Sequence, residues 1–155
     1  MAYIQAAKEQ GDDDGCIFCD LPAEGDDERT KILVRGQHAF VILNSFPYNP
    51  GHLMVAPFRH VGDFGAIEPA EFAEVDSLVT RSIRALQAEM EPHGFNLGMN
   101  LGRVAGAGIQ DHVHWHVVPR WNGDTNFMPV VGQTRVLPEL LDETYARLLP
   151  RFERA

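Results

Sequence analysis

Basic residues are scarce in this chain of 155: 13 lysines and arginines stand against 22 aspartates and glutamates, a formal net charge of −9. So acidic a chain disfavours an extended nucleic-acid surface, although it leaves room for a local basic pocket. Long apolar runs are missing too. None approaches the roughly 20 residues that a membrane span requires, and Met1 to Glu9 has no apolar core of the secretion-signal kind. A cytoplasmic protein with no membrane partner is the expectation. Only two cysteines occur. In that compartment a lone pair more often binds metal or does redox work than forms a structural disulfide. Internal repeats and linkers are absent, and the length suits one domain. Residues 1–15, which include the acidic run Asp12 to Asp14, are expected to form a flexible N-terminal segment, with the domain covering 16–155.

The remaining pattern predicts an α+β fold. Lys31 to Arg35 and Ala39 to Leu43 are apolar runs across a short turn containing Gly36, which suggests an antiparallel hairpin. Asn44 to Gly51 is dense in turn formers, and His52 to Pro57 follows as a third strand. Glu68-Pro69 opens a long helix whose apolar face is predicted from Phe72, Val75, Val79, Ile83, Leu86 and Met90. The helix is expected to stop before His93-Gly94, with the glycine as cap. Phe95 to Leu101 and Val113 to Val118 are predicted as the fourth and fifth strands, with Gly102, Gly106 and Gly108 in the loop between them. A last helix is predicted from Pro138 to about Leu149. Strands followed by a helix, then strands and a helix again, argue for one antiparallel sheet of about five strands.

Three of the seven histidines fall at His112, His114 and His116. Side chains alternate across a strand, so the three share one face, roughly 7 Å apart, and two neighbours could flank one phosphate. A half-buried strand whose polar positions happen to be histidine is a weak explanation for three in register. Two chemical readings fit the spacing alone. His-x-His can supply a pair of zinc ligands. Alternatively one histidine is a nucleophile, because an imidazole with an ordinary pKa near 6.5 is largely neutral at pH 7. An acceptor for its Nδ1–H would leave the Nε2 lone pair facing a substrate.

His112-Val113-His114-Trp115-His116-Val117-Val118 resembles the signature of the histidine triad family. Asn44, Pro50-Gly51-His52-Leu53-Met54-Val55, Asn100 and Cys16-Ile17-Phe18-Cys19 match further family elements, so the resemblance covers roughly 16–121. Phe46 to His52 and Pro119 to Phe127 look like the branch acting on diadenosine tetraphosphate and related dinucleoside polyphosphates, as hydrolase or phosphorylase. The resemblance implies that His114 attacks the α-phosphorus, that His116 contacts the phosphate, and that His52 supports their orientation. It implies that Asn44 holds the ribose, that Asn100 and the Gly106-Ala107-Gly108 backbone cradle phosphates, and that Phe18, Leu43 and Met54 line a base pocket. It also implies a homodimer joined through the long helix and the fourth strand. Cys16-x-x-Cys19 is half a zinc site by itself. The family match adds His60 and His112, which would complete a closed, structural Cys2His2 zinc site and leave His114 and His116 free.

One departure stands out. Many members carry Gln, Ser or Thr shortly before the first triad histidine, where this chain has Ala107, Gly108 and Ile109; Gln110 could substitute only if the loop shifts. Several other residues have plain explanations. His38 suits a solvated turn, His93 a helix C-terminus, and Arg120 the surface, while Trp121 suits base stacking and sheet cover equally. The leading expectation is a nucleotidyl hydrolase or transferase, with inorganic phosphate as an alternative acceptor to water. The competing ones are a hydrolase using zinc on His112 and His114, and a nucleotide-binding module with little turnover.

Overall fold

The computed structural model of the chain describes residues 15–124 and 140–153. The expected tail 1–14, the start of the last helix at Pro138, and most of the segment after Trp121 lie outside the described residues. Two short helices, α1 (Ile17–Ala23) and α2 (Asp27–Thr30), precede the hairpin β1 (Ile32–Arg35) and β2 (Ala39–Leu43). Then come β3 (Leu53–Pro57), the long helix α3 (Pro69–Met90), β4 (Gly94–Gly98), β5 (Trp115–Arg120) and α4 (Leu141–Glu153). The five strands form one antiparallel sheet in the order β1-β2-β3-β5-β4.

Strand alternation sorts the core into two layers. Ala39, Val41 and Leu43 of β2, Leu53 and Val55 of β3, and Val117 of β5 face α3 and α4, meeting Val75, Leu78, Leu86, Tyr145, Leu148 and Phe152. Phe40, Ile42, Met54 and Ala56 face the other way and pack under Phe18 of α1. The first face stabilises the sheet, and the second is left for the site.

Several boundaries differ from the sequence expectation. On α3 the buried stripe runs through Glu71, Val75, Leu78, Ser82, Ala85 and Leu86. Val79, Ile83 and Met90 are half-buried at its margin, and Phe72 is 45% exposed. Small Ser82 and Ala85 let the helix approach the sheet closely, and Glu71 is buried because Arg59 pairs with it, at 2.7 Å. α3 ends at Glu91, itself in the left-handed region with φ 49°, and Gly94 opens β4 instead of capping the helix. β4 stops at Gly98, short of the expected Leu101.

The most consequential shift is in β5, which begins at Trp115 and not at Val113. Pro57 offers no N–H to a partner strand, and its carbonyl accepts from His112 Nε2 at 2.8 Å. The Val113 N–H turns to the Val61 carbonyl, also at 2.8 Å. The sheet ladder therefore ends before His114, and only His116 lies inside the strand.

A contact that the sequence did not reveal holds the hairpin. The Glu74 carboxylate on α3 accepts the backbone N–H groups of Gln37, His38 and Ala39. Burial pushes its pKa up, but the three N–H groups outweigh burial and hold it below the ordinary carboxylate value. His38 is thus a turn residue whose backbone is tied to α3.

Candidate active site and metal cluster

On the face away from the long helices, His116 sits opposite Met54 in the β3–β5 register. His114 lies two residues earlier, its ring centroid 5.0 Å from that of His116. Phe18, carried in by α1, packs on His114 at 4.7 Å and on His112 at 5.3 Å. His52, just before β3, reaches His116 from the neighbouring strand, Nε2 to Nδ1, at 2.9 Å.

The hydrogen bonds fix the tautomers. The Tyr48 backbone N–H donates to His52 Nδ1 at 3.1 Å. His52 must then carry its proton on Nε2, which donates to His116 Nδ1. His116 in turn carries its proton on Nε2, a buried N–H with no partner among the described residues. An N–H of this kind is a donor that an oxygen of a bound ligand can meet. His114 has the opposite arrangement: its Nδ1–H donates to the His112 carbonyl at 2.9 Å, leaving the lone pair on Nε2. Two neighbouring imidazoles, with ring centroids 5.0 Å apart, thus carry one Nε2 lone pair and one Nε2–H.

Burial keeps these rings neutral. It pushes His52 down to about 3, with the nearby His116 and His114 adding to the effect. It pushes His116 to about 4, with His114 contributing. His114 is also lowered by burial, partly offset by its bond to the His112 carbonyl. At neutral pH all three are therefore uncharged.

Cys16, Cys19, His60 and His112 bring four ligand atoms within 4.8 Å of one another, two sulfurs and two imidazole nitrogens. Cys16 Sγ is 3.3 Å from His112 Nδ1, and Cys19 Sγ is 3.4 Å from His60 Nδ1. Since His112 Nε2–H is committed to Pro57, its Nδ1 lone pair faces the sulfurs, as a metal ligand requires. The donor set fits a metal ion. Burial and the adjacent Cys16 push the Cys19 thiol up to about 11, so Cys19 keeps its proton until a cation displaces it. His114 lies outside this cluster, contrary to the reading that pairs it with His112 as a ligand.

The other predicted residues fall into two groups. Phe18 and Met54 line the site face, joined by Ile42 and the half-buried Ile109. Leu43 does not: alternation turns it into the helix-side core, and Ile42 takes the place expected of it. Asn44 is buried, its Oδ1 accepting from Phe46 N at 2.9 Å and its Nδ2 lying 3.4 Å from His52 Nδ1. It braces the loop that positions His52 and presents little to a ribose. Asn100 Nδ2 donates to the Gly106 carbonyl at 3.4 Å and so ties the glycine loop to itself. Gly106 has φ 89°, Ala107 is buried, and Gly108 is exposed, as is Gln110, which does not fill the polar gap before His112. His93 Nδ1 accepts from Asn122 N, and Trp121 Nε1 donates at 3.3 Å to the carbonyl of Met90, the last residue of α3. Arg120 is paired with Asp124.

Sequence reasoning missed Ile42, the Pro57 carbonyl and the Tyr48 N–H. Period-two alternation from Met54 would have found Ile42. The two backbone groups carry no side-chain signal.

Residues 26–123 match the family model described as HIT domain. The AP-4-A phosphorylase of Mycobacterium tuberculosis is 41% identical over 137 residues, which cover 88% of this chain and 70% of that protein. A Zn-bound histidine triad family protein from Mycobacterium smegmatis superposes with a TM-score of 0.73 at 26% identity, over 90% of this chain and 94% of that one. A HIT family protein from Bacillus anthracis gives a TM-score of 0.65 at 28% identity, over 84% and 86%.

The neutral rings predict a pH dependence of stability. The unfolded chain takes up protons on these histidines near pH 6.5, whereas folded His52 and His116 resist down to about 3 and 4. Between those limits the unfolded state binds more protons, so stability falls as pH falls. Thermal unfolding from pH 7.5 to 4.5 should show Tm dropping below about pH 6.5. H52Q, which removes the most depressed imidazole, should flatten that drop; an identical slope in the variant would refute the assignment.

Proposed function

The chain belongs to the HIT domain family, and from that membership and the site geometry we propose that it cleaves dinucleoside polyphosphates through a covalent nucleotidyl-histidine on His114. The observation that carries this reading is the pair of opposed tautomers, a lone pair on His114 Nε2 beside an unpartnered N–H on His116 Nε2. The His114 Nε2–phosphorus bond forms at the α-phosphate as the bridging P–O bond breaks. The electron pair leaves on the nucleoside polyphosphate. That group is acidic, so it departs with little general-acid help. His116 Nε2–H donates to a phosphate oxygen as charge builds there, a contact that is strongest in the transition state. His52 holds His116 in the donating tautomer through its own Nε2–H. Phe18, Ile42, Met54 and Ile109 form an apolar wall suited to a base, and the Gly106–Gly108 backbone lies on the loop that leads into the triad. Inorganic phosphate as the second-step acceptor is the favoured alternative to water, since the 41%-identical relative is named a phosphorylase.

Product analysis with diadenosine tetraphosphate, with and without inorganic phosphate, identifies the acceptor. ATP and ADP formed only with phosphate indicate the phosphorylase, and ATP and AMP formed without it the hydrolase. H114A should lose at least about a thousandfold in kcat, in keeping with removal of a covalent nucleophile, with an unchanged circular dichroism spectrum. Retained turnover in H114A would dismiss the mechanism.

We further propose that the Cys16, Cys19, His60 and His112 cluster holds a structural zinc ion. When bound, the ion supplies no reaction chemistry. It neutralises the thiolates and fastens α1, with Phe18, over His112 and His114. Elemental analysis should find about one zinc per chain, and prolonged chelation should lower Tm. A C16S/C19S variant that keeps its metal would overturn the site.

We propose that the chain assembles as a homodimer. β4 is a sheet edge with Leu97 exposed, and beside the expected core face of α3 the rings of Phe72, Phe64 and Trp115 form an open aromatic group. Sedimentation at micromolar concentration should give twice the chain mass of 17.3 kDa; a monomer would exclude the assembly.

A further inference from the structure

Tyr48 is 60% exposed and nevertheless sits on a loop secured by several hydrogen bonds. Its backbone N–H is spent on His52. Two residues earlier, Phe46 N is held by Asn44. One residue later, the Asn49 side chain donates to the Pro119 carbonyl at 3.0 Å and to Asp124 at 2.8 Å. Gly51 closes the loop with φ 76°, packed so tightly that an added Cβ would meet Met90 Sδ at 2.7 Å. A large ring is therefore held outward on an immobilised backbone, where an ordinary surface loop would carry a small polar residue.

Its position relative to the reacting groups is specific. Ring centroids follow one another from Phe18 to His114 at 4.7 Å, from His114 to His116 at 5.0 Å, and from His116 to Tyr48 at 6.0 Å. Tyr48 also lies at 4.7 Å from His52, tilted by 34°. Phe18 stands on the His114 flank, above the apolar layer of Ile42 and Met54 that runs across the sheet to His116. Tyr48 stands on the opposite, His116 flank.

We infer that Tyr48 is a specificity-determining residue: its exposed ring is the stacking platform for the second nucleoside, the one that leaves with the polyphosphate. The inference rests on the function proposed above and adds the discrimination between a dinucleotide and a simple nucleoside polyphosphate. As His114 Nε2 bonds to phosphorus and the P–O bond breaks, the departing nucleoside triphosphate keeps its base on Tyr48. An aromatic face accepts any base, so the platform selects for the presence of a second nucleoside and not for its identity.

The test compares diadenosine tetraphosphate with adenosine 5′-tetraphosphate, which has the same phosphate chain and no second nucleoside. The wild-type chain, Y48A and Y48F are each assayed on both. Wild type should favour the dinucleotide. By the usual strength of base–aromatic stacking, Y48A should lose roughly tenfold in kcat/KM on the dinucleotide, mainly through KM, and stay within about twofold on the tetraphosphate. Y48F, which keeps the ring, should behave as wild type. Equal losses of Y48A on both substrates would mean that Tyr48 only packs on His52, and an unaffected Y48A would mean that it touches nothing that matters; either overturns the inference and leaves the proposed reaction standing. Wild type inert on both substrates would remove the proposed reaction and this inference together.

Discussion

His112 is the residue on which the arrangement depends, because three of its polar atoms are committed in three directions. Nε2–H goes to the Pro57 carbonyl, Nδ1 faces the Cys16 and Cys19 sulfurs, and the backbone carbonyl accepts His114 Nδ1–H. The first of these ends the β3–β5 ladder, which releases the backbone around His114 from sheet pairing. The second orients the metal-type cluster. The third sets the tautomer of the candidate nucleophile. Because the atoms belong to one residue with no exposed surface, a disturbance at the sulfurs is carried to His114 through covalent geometry and a single hydrogen bond.

Opposite tautomers two residues apart need two separate anchors. His114 is set by its own chain, through the carbonyl two positions back. His116 is set from outside, by a relay that starts at the Tyr48 backbone N–H and passes through His52. The relay works only while the rings are neutral, since a protonated His52 could no longer accept from Tyr48. Burial supplies that condition, and the His116 N–H, buried with it, has no partner among the described residues.

The sequence carried most of what periodicity and side-chain identity can encode. The hairpin, the third strand and the long helix were legible because apolar runs and Pro69 at a helix start are written in residue types, and the four-ligand cluster because the family resemblance added His60 and His112 to Cys16-x-x-Cys19. Four features were not. The β5 start depended on Pro57 failing as a ladder partner in another strand. The α3 face was drawn through apolar residues at three- and four-residue steps, which placed Phe72 inside, whereas the buried stripe includes the small Ser82 and Ala85. Leu43 was assigned to the site by the family resemblance, where alternation gives the position to Ile42. The Glu74 clasp on the hairpin joins residues more than thirty positions apart through backbone donors, which leave no trace in composition.

The glycine loop shows how binding must be distributed in so acidic a chain. Arg59 is spent on Glu71, Arg35 on Asp27, and Arg120 on Asp124. Ala107 and Gly108 offer no polar side chain, Ile109 turns into the apolar cluster under Phe18, and Gln110 points to solvent. The Gly106 and Ala107 N–H groups are spent within the loop, on the Arg103 and Gly102 carbonyls, so the directed donor seen on this face is the His116 N–H. Directed donors in a buried setting favour an oxygen that gains charge during reaction over one whose charge is constant. Ground-state affinity must then come largely from the apolar parts of the ligand. That is why the aromatic rings on both flanks of the histidine pair, Phe18 beside His114 and Tyr48 beside His116, belong to the same solution as the tautomers between them.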